Sequence, residues 1–145
     1  MIIELNTLTE AHVREVVALM RELDPSITVT AEMVKRTVEA ENTHFFTALE
    51  EDHIIGCASL CVFESPTGRK ASIEDVVVAS DYRGQYLGKE LMQHVVDFAK
   101  TLAPISLQLT SRPERVAANR LYQSLGFSKR ETNAYKLEMP GRSRA

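Results

Sequence analysis

Asp81-Tyr82-Arg83-Gly84-Gln85-Tyr86-Leu87-Gly88-Lys89 joins a β-branched run, Ile73 to Ala79 (IEDVVVA), to an amphipathic segment, Glu90 to Leu102 (ELMQHVVDFAKTL). The run before the joint has the composition of a strand. After it, Leu91, Val95, Phe98 and Leu102 recur at helical spacing, and Pro104 ends the pattern. Ile105 to Leu109 (ISLQL) is again a strand. Strand, helix and strand in this order predict a right-handed crossover with the two strands parallel.

Working outward, Ile2 to Leu5 reads as a first strand. Thr7-Leu8-Thr9-Glu10 fits a capping box, opening a helix with Val13, Val16, Val17 and Met20 on its stripe and an end before Asp24-Pro25. A shorter helix follows, with Met33, Val34, Thr37 and Val38 inward. His44 to Leu49 and Ile54 to Phe63 are strands joined by Glu50-Glu51-Asp52-His53. Ser65-Pro66-Thr67-Gly68 turns into the strand Ala71 to Ala79. Short turns between successive strands predict an antiparallel meander. Beyond Leu109, Ser111-Arg112-Pro113-Glu114 opens a helix with Pro113 in its first turn, Ala118, Leu121, Tyr122 and Leu125 inward, and Gly126 as its cap. Phe127 to Met139 supplies one or two last strands, one of them an edge on which a homodimer could form. The expected fold is α/β (α+β): a mixed central sheet, an antiparallel meander plus a β-α-β crossover, with helices on both faces. One domain spans residues 1–140, and 141–145 form a flexible tail.

At 145 residues the chain can bury one continuous core. A net charge of −3 and the absence of a Lys/Arg-rich run argue against a nucleic-acid partner. No apolar run is long enough to cross a bilayer, and the N-terminus lacks the features of a signal peptide. Cys57 and Cys61, four strand residues apart, would stand roughly 13 Å from each other, too far for a disulfide. With no second Cys pair or neighbouring histidine, no metal site is expected. Two free thiols fit a reducing, cytoplasmic setting.

The joint itself admits two readings from its residues. Glycines let backbone amides approach a ligand, a helix start presents unpaired N–H groups, and Arg83 and Lys89 add charge, which together make a polyphosphate cradle. Alternatively it is a tight strand-to-helix turn with solvated basic residues. It lacks the Gly-Lys-Ser/Thr ending of a nucleotide-binding P-loop and the three spaced glycines of a dinucleotide fold.

The surrounding sequence resembles the GNAT superfamily of acetyl-CoA-dependent N-acetyltransferases. Arg83 and Gly88 occupy the ends of the family's R/Q-x-x-G-x-G/A loop, and Leu121-Tyr122-Gln123-Ser124-Leu125-Gly126-Phe127 resembles its L-Y-x-x-L-G-F motif. The resemblance implies that acetyl-CoA is held by the backbone of Val76, Val77 and Val78 and by Arg83, Gly84, Gln85, Tyr86, Leu87, Gly88 and Lys89. It implies further that a backbone N–H, that of Val78, holds the developing oxyanion and that Tyr122 protonates the departing sulfur. Tyr86 replaces the middle glycine, and an ordinary helical conformation there would leave the amides usable. Arg115, the last cofactor-binding candidate, stands where many members carry a cofactor-contacting asparagine, and as a cation it could serve phosphate; Thr110 stands where some carry a glutamate base. By period-2 alternation Glu74 shares a face with Val76 and Val78, which makes it the candidate base, while Asp75 points the other way. The acceptor is expected to be a small-molecule or peptide amine, with specificity set by Asp24 to Thr30 and Lys129 to Tyr135. A non-catalytic acetyl-CoA sensor on the same fold is the competing reading.

Overall fold

The computed structural model describes residues 1–141. By contact the chain divides into two compact units, Met1–Ser111 and Arg112–Ala145. The first holds β1 (Ile2–Glu4), α1 (Glu10–Leu23), α2 (Ala31–Glu39), β2 (Thr43–Glu50), β3 (His53–Ser65), β4 (Gly68–Val78), α3 (Leu87–Lys100) and β5 (Ser106–Gln108). Its five-stranded sheet runs in sequence order, β1-β2-β3-β4-β5. The first four strands pair antiparallel and β5 pairs parallel to β4, as the strand–helix–strand order predicts.

Consecutive phenylalanines show how the sheet divides its core. Phe45 and Phe46 point to opposite faces. Phe45 packs with Val13, Val16, Leu19, Val34, Val38, Cys57 and Val77, the side covered by α1 and α2. Phe46 meets Phe98 of α3 edge-on at 5.2 Å, and His44 lies 4.7 Å from the same ring. Leu91, Met92, Val95 and Ala99 fill the space beneath α3. Phe98 is half-buried and Leu102 lies beyond the helix, so the buried stripe is shifted from the expected one.

The β2–β3 turn places Glu51 and Asp52 at φ 49° and 66°, the left-handed pair that a tight hairpin needs. Two histidines tie this turn to α1. His12 Nε2 bonds the Asp52 carbonyl at 2.9 Å, and His53 Nδ1 bonds Glu15 at 2.8 Å.

Two local expectations are corrected. α1 is capped by Thr9, whose side chain accepts from the His12 amide, so Thr7 and Glu10 form no capping box. Met33 is exposed, because only Val34 and Val38 of α2 face the sheet. Cys57 and Cys61 are free thiols, as expected. Burial, with the Asp75 carboxylate adding to it, pushes the Cys57 thiol up to about 12, where it is chemically inert.

The second unit holds α4 (Val116–Ser124). Arg112 to Arg115 close a turn of their own through the Arg115 amide and the Arg112 carbonyl, 3.1 Å apart, so Pro113 lies before the helix. Only Tyr122 is buried; Ala118, Leu121 and Leu125 are partly covered. Among the described residues, none after α4 forms a strand, and the C-terminal edge strand on which a dimer could form is not there. A period-2 pattern becomes a strand only where a neighbour completes its ladder. Residues 142–145 of the expected tail lie outside the described residues.

Candidate active site

The site begins where β4 parts from β5. β5 pairs with β4 only at Lys70, Ala71 and Ser72, so among the described residues no strand borders Ile73 to Val78 on that side. On its other side β4 stays with β3, but not in regular register. Cys57 pairs with Val77 while Ser59 pairs with Glu74, so β4 carries an extra residue. This is a β-bulge, with Asp75 at φ 54°.

The bulge changes which side chains share a face. Cys57 and Ser59, two apart on β3, point the same way, and so therefore do their partners Val77 and Glu74. Glu74 thus lies on the α1/α2 face with Val77, and Val78, opposite Gly56, lies on the other. The expectation that Glu74 shares a face with Val78 fails because the extra residue reverses the alternation between them. Glu74 accepts a 2.6 Å bond from Ser72 Oγ. Partial burial, then the neighbouring Glu74 carboxylate, raises the Asp75 carboxyl from its ordinary range, and because the residue as a whole is exposed, water screens part of the effect.

Backbone direction follows from the same ladder. The Ala79 amide donates to the Ile55 carbonyl at 2.8 Å, which makes Ile55 and Ala79 a hydrogen-bonded pair. The next pair, Gly56 and Val78, is then non-hydrogen-bonded, and the Val78 N–H and C=O point away from β3. They face the side that β5 has left. Gly56 permits this approach: a Cβ there would stand 3.2 Å from the Val77 carbonyl oxygen. Val77 itself is core.

After Val78 the chain makes a single 3-10 turn, Ser80–Tyr82, and then the joint. Gly84 has φ +81° and Tyr86 has φ 61°, ψ 8°. Tyr86 is left-handed, not in the ordinary helical conformation, and its side chain is 78% exposed. The middle glycine of the loop pattern thus marks a backbone conformation that this chain keeps with a tyrosine. α3 starts with no capping side chain, and its ladder begins with the Glu90 amide on the Tyr86 carbonyl at 3.0 Å. The first amides, of Leu87, Gly88 and Lys89, are the donors a helix start offers to an anion. The donor set, the positive φ values and open space at Gly84 fit a diphosphate. Tyr86 and Lys89 also line a groove of about 500 Å³ along α3, with Gln93 and His94.

Arg83 is already engaged. Its Nε donates to the Val78 carbonyl at 3.1 Å, and its Nη2 lies 3.8 Å from Glu22. The Tyr82 hydroxyl bonds Glu50, which raises that phenol.

In the second unit, Tyr122 is 8% exposed. Burial raises its phenol, and the Arg115 cation opposes the rise. Asn119 Nδ2 donates to the Arg112 carbonyl at 3.0 Å, pinning the turn that carries Arg115.

The sequence profile of the acetyltransferase (GNAT) family matches residues 11–127. The chain belongs to this family. N-acetyltransferase 8B of Rattus norvegicus is 29% identical over 101 residues, 68% of this chain and 46% of the relative. The [ribosomal protein bS18]-alanine N-acetyltransferase of Escherichia coli K12 is 36% identical over 59 residues, 41% of this chain and 40% of the relative. The chain thus spans less than half the length of these relatives. In structure it is similar to a putative acetyltransferase from Agrobacterium tumefaciens, with a TM-score of 0.82 at 19% identity, covering 95% of this chain and 99% of that one. An aminoglycoside acetyltransferase from a soil metagenome, in complex with sisomicin, matches with a TM-score of 0.78 at 17% identity over 97% of this chain and 96% of that one. These two likenesses establish the GNAT fold.

Sequence reasoning missed Glu22 and the bulge at Asp75. Glu22 lies 58 residues before Ser80, whose amide it accepts, and no spacing rule connects them. Asp tolerates the left-handed region better than most residues, the one faint sign of the bulge.

Proposed function

We propose that the protein is a cytoplasmic N-acetyltransferase that moves an acetyl group from acetyl-CoA to a primary amine of a small molecule or peptide, by direct attack in a ternary complex. The observation that carries this reading is the β4 edge. Val78 presents an N–H and a C=O to a side that β5 vacates, and that strand leads through the Ser80–Tyr82 turn and the joint to an uncapped helix start. Such an edge can accept an extended amide-bearing chain by strand addition, while the helix start takes its anionic end.

Acetyl-CoA supplies the activated thioester. Main-chain groups of Val76 and Val78 hold its pantetheine arm, and Gly84, Gln85, Tyr86, Leu87, Gly88 and Lys89 hold the diphosphate, with Arg83 adding charge. The Val78 N–H donates to the carbonyl oxygen as negative charge gathers there. Because the bulge sets Glu74 on the face away from the Val78 side chain, the proton of the attacking amine passes to solvent water rather than to Glu74. Tyr122 gives a proton to the departing sulfur: a phenol near or above 10 stays protonated at neutral pH and can protonate a thiolate of about 8.5. Arg115 stabilises the charge that phenol would acquire.

The test is release of free coenzyme A across a panel of amines, for wild type and Tyr122→Phe. Turnover by wild type with a kcat about 10²- to 10⁴-fold lower in the variant is expected, the usual range for loss of a general acid. Unchanged kcat removes Tyr122 as the acid. Tight acetyl-CoA binding with no turnover on any amine makes the protein a sensor instead.

A further inference from the structure

Glu22, in the last turn of α1, reaches the joint at two points. Its Oε2 accepts from the Ser80 amide at 3.2 Å and lies 3.8 Å from Arg83 Nη2. Arg83 is meanwhile folded back, its Nε on the Val78 carbonyl at 3.1 Å. One carboxylate therefore sits against the cation assigned to the diphosphate, and that cation covers the Val78 carbonyl, which β4 turns toward its vacant side.

A carboxylate oxygen and a phosphate oxygen are the same kind of ligand for a guanidinium. We propose that Glu22 is a positioning residue that acts as an internal counter-anion, holding Arg83 on the Val78 carbonyl until the diphosphate of acetyl-CoA displaces it. The proposal rests on the reading of the joint as a diphosphate site. It carries a consequence for binding order. When Arg83 turns to phosphate, the Val78 carbonyl is released and becomes an acceptor for the pantetheine amide. The anionic end of the cofactor thus unlocks the strand edge that its extended arm needs.

The ion pair is partly exposed on both sides and 3.8 Å long, which sets its strength in the range of surface pairs. Removing it should change affinity about two- to fivefold. Glu22→Gln keeps an oxygen for the Ser80 amide and removes the charge. Titration calorimetry with coenzyme A should give a Kd about two- to fivefold lower than wild type, matched by a lower KM for acetyl-CoA at unchanged kcat. In an Arg83→Gln background the same change should have no effect. Glu22→Asp, with a shorter reach, should shift Kd in the same direction, so a folding defect in one variant leaves the other to decide. Equal or weaker binding in both Glu22 variants, or the same gain without Arg83, overturns the proposal. If wild type binds no coenzyme A at all, the diphosphate reading itself fails; if it binds and no folded Glu22 variant binds more tightly, only the role of Glu22 fails.

Discussion

The Phe127 amide donates to the Tyr122 carbonyl at 3.1 Å, and the two rings meet edge-on at 6.3 Å. With the Gly126 amide on the Gln123 carbonyl at 3.1 Å, this closes α4 in a Schellman motif with its accompanying hydrophobic contact. The backbone that ends the helix thus also seats the phenol proposed as the acid. Gly126 has φ +101°, and an ideal Cβ there would meet nothing within 4 Å. Gly126→Ala is therefore penalised by backbone conformation alone, about 1–2 kcal/mol, read as a lower urea midpoint. A lower kcat should accompany it if Tyr122 donates the proton.

Tyr122 and Arg115 make a second prediction. Burial raises the phenol and Arg115 opposes that rise, so Arg115→Gln should move the Tyr122 titration upward. A phenol with a raised folded pKa adds stability that is fully present below its unfolded value of about 10 and is lost as pH climbs through the folded value. Alkaline titration of phenolate absorbance, with Tyr122→Phe as the blank, should place Tyr122 above 10 in wild type and higher in Arg115→Gln. A downward move in Arg115→Gln would contradict the electrostatic role of Arg115.

Much of the architecture is legible before any coordinates, because hydrophobic period and turn residues are local signals. Ile73 to Ala79, a helix and Ile105 to Leu109 imply the parallel β4–β5 pair, and that pair is present. Gly126 is recognisable as a cap from its place after Leu125. What stays hidden depends on partners distant in sequence. Asp75 reads as one more residue in an alternating strand, yet the register against Cys57 and Ser59 makes it a bulge and turns Glu74 to the other face. Tyr135, Leu137 and Met139 alternate as a strand would, but no ladder among the described residues takes them up, and they stay exposed. Arg83 is legible as a cation for phosphate; that Glu22 and the Val78 carbonyl already hold it is not.

Asp75 gives a pH-dependent prediction. Its carboxyl is raised by burial and by Glu74, so the folded state favours the protonated form. The resulting contribution is fully present below the unfolded carboxyl value of about 3.9 and is lost as pH rises through the raised one. Asp75→Asn, neutral and tolerant of the left-handed region, should be more stable than wild type at pH 7. The advantage should vanish below about pH 4, where both side chains are neutral. Thermal melting of both proteins across this range decides it, and a constant difference at all pH values would refute the electrostatic cause.

Tyr86 offers the last test, one that separates backbone from side chain. At φ 61° a tyrosine strains the chain by about 1–2 kcal/mol, against about 0.5–1 kcal/mol of extra entropy that a glycine would lose on folding. Tyr86→Gly should therefore be neutral to about 1 kcal/mol more stable, whereas Tyr86→Ile, β-branched and poorly suited to the left-handed region, should be clearly less stable. The binding consequence differs. The amides of Leu87, Gly88 and Lys89 keep their direction in the glycine variant, so coenzyme A affinity should hold if only backbone grips the diphosphate. Tyr86 lines the groove along α3 with Lys89 and His94, so a severalfold loss of affinity in Tyr86→Gly, without loss of stability, would assign the ring itself to the cofactor. Tyr86→Phe then distinguishes ring from hydroxyl: it restores binding if stacking is the contact, and fails to if the hydroxyl is.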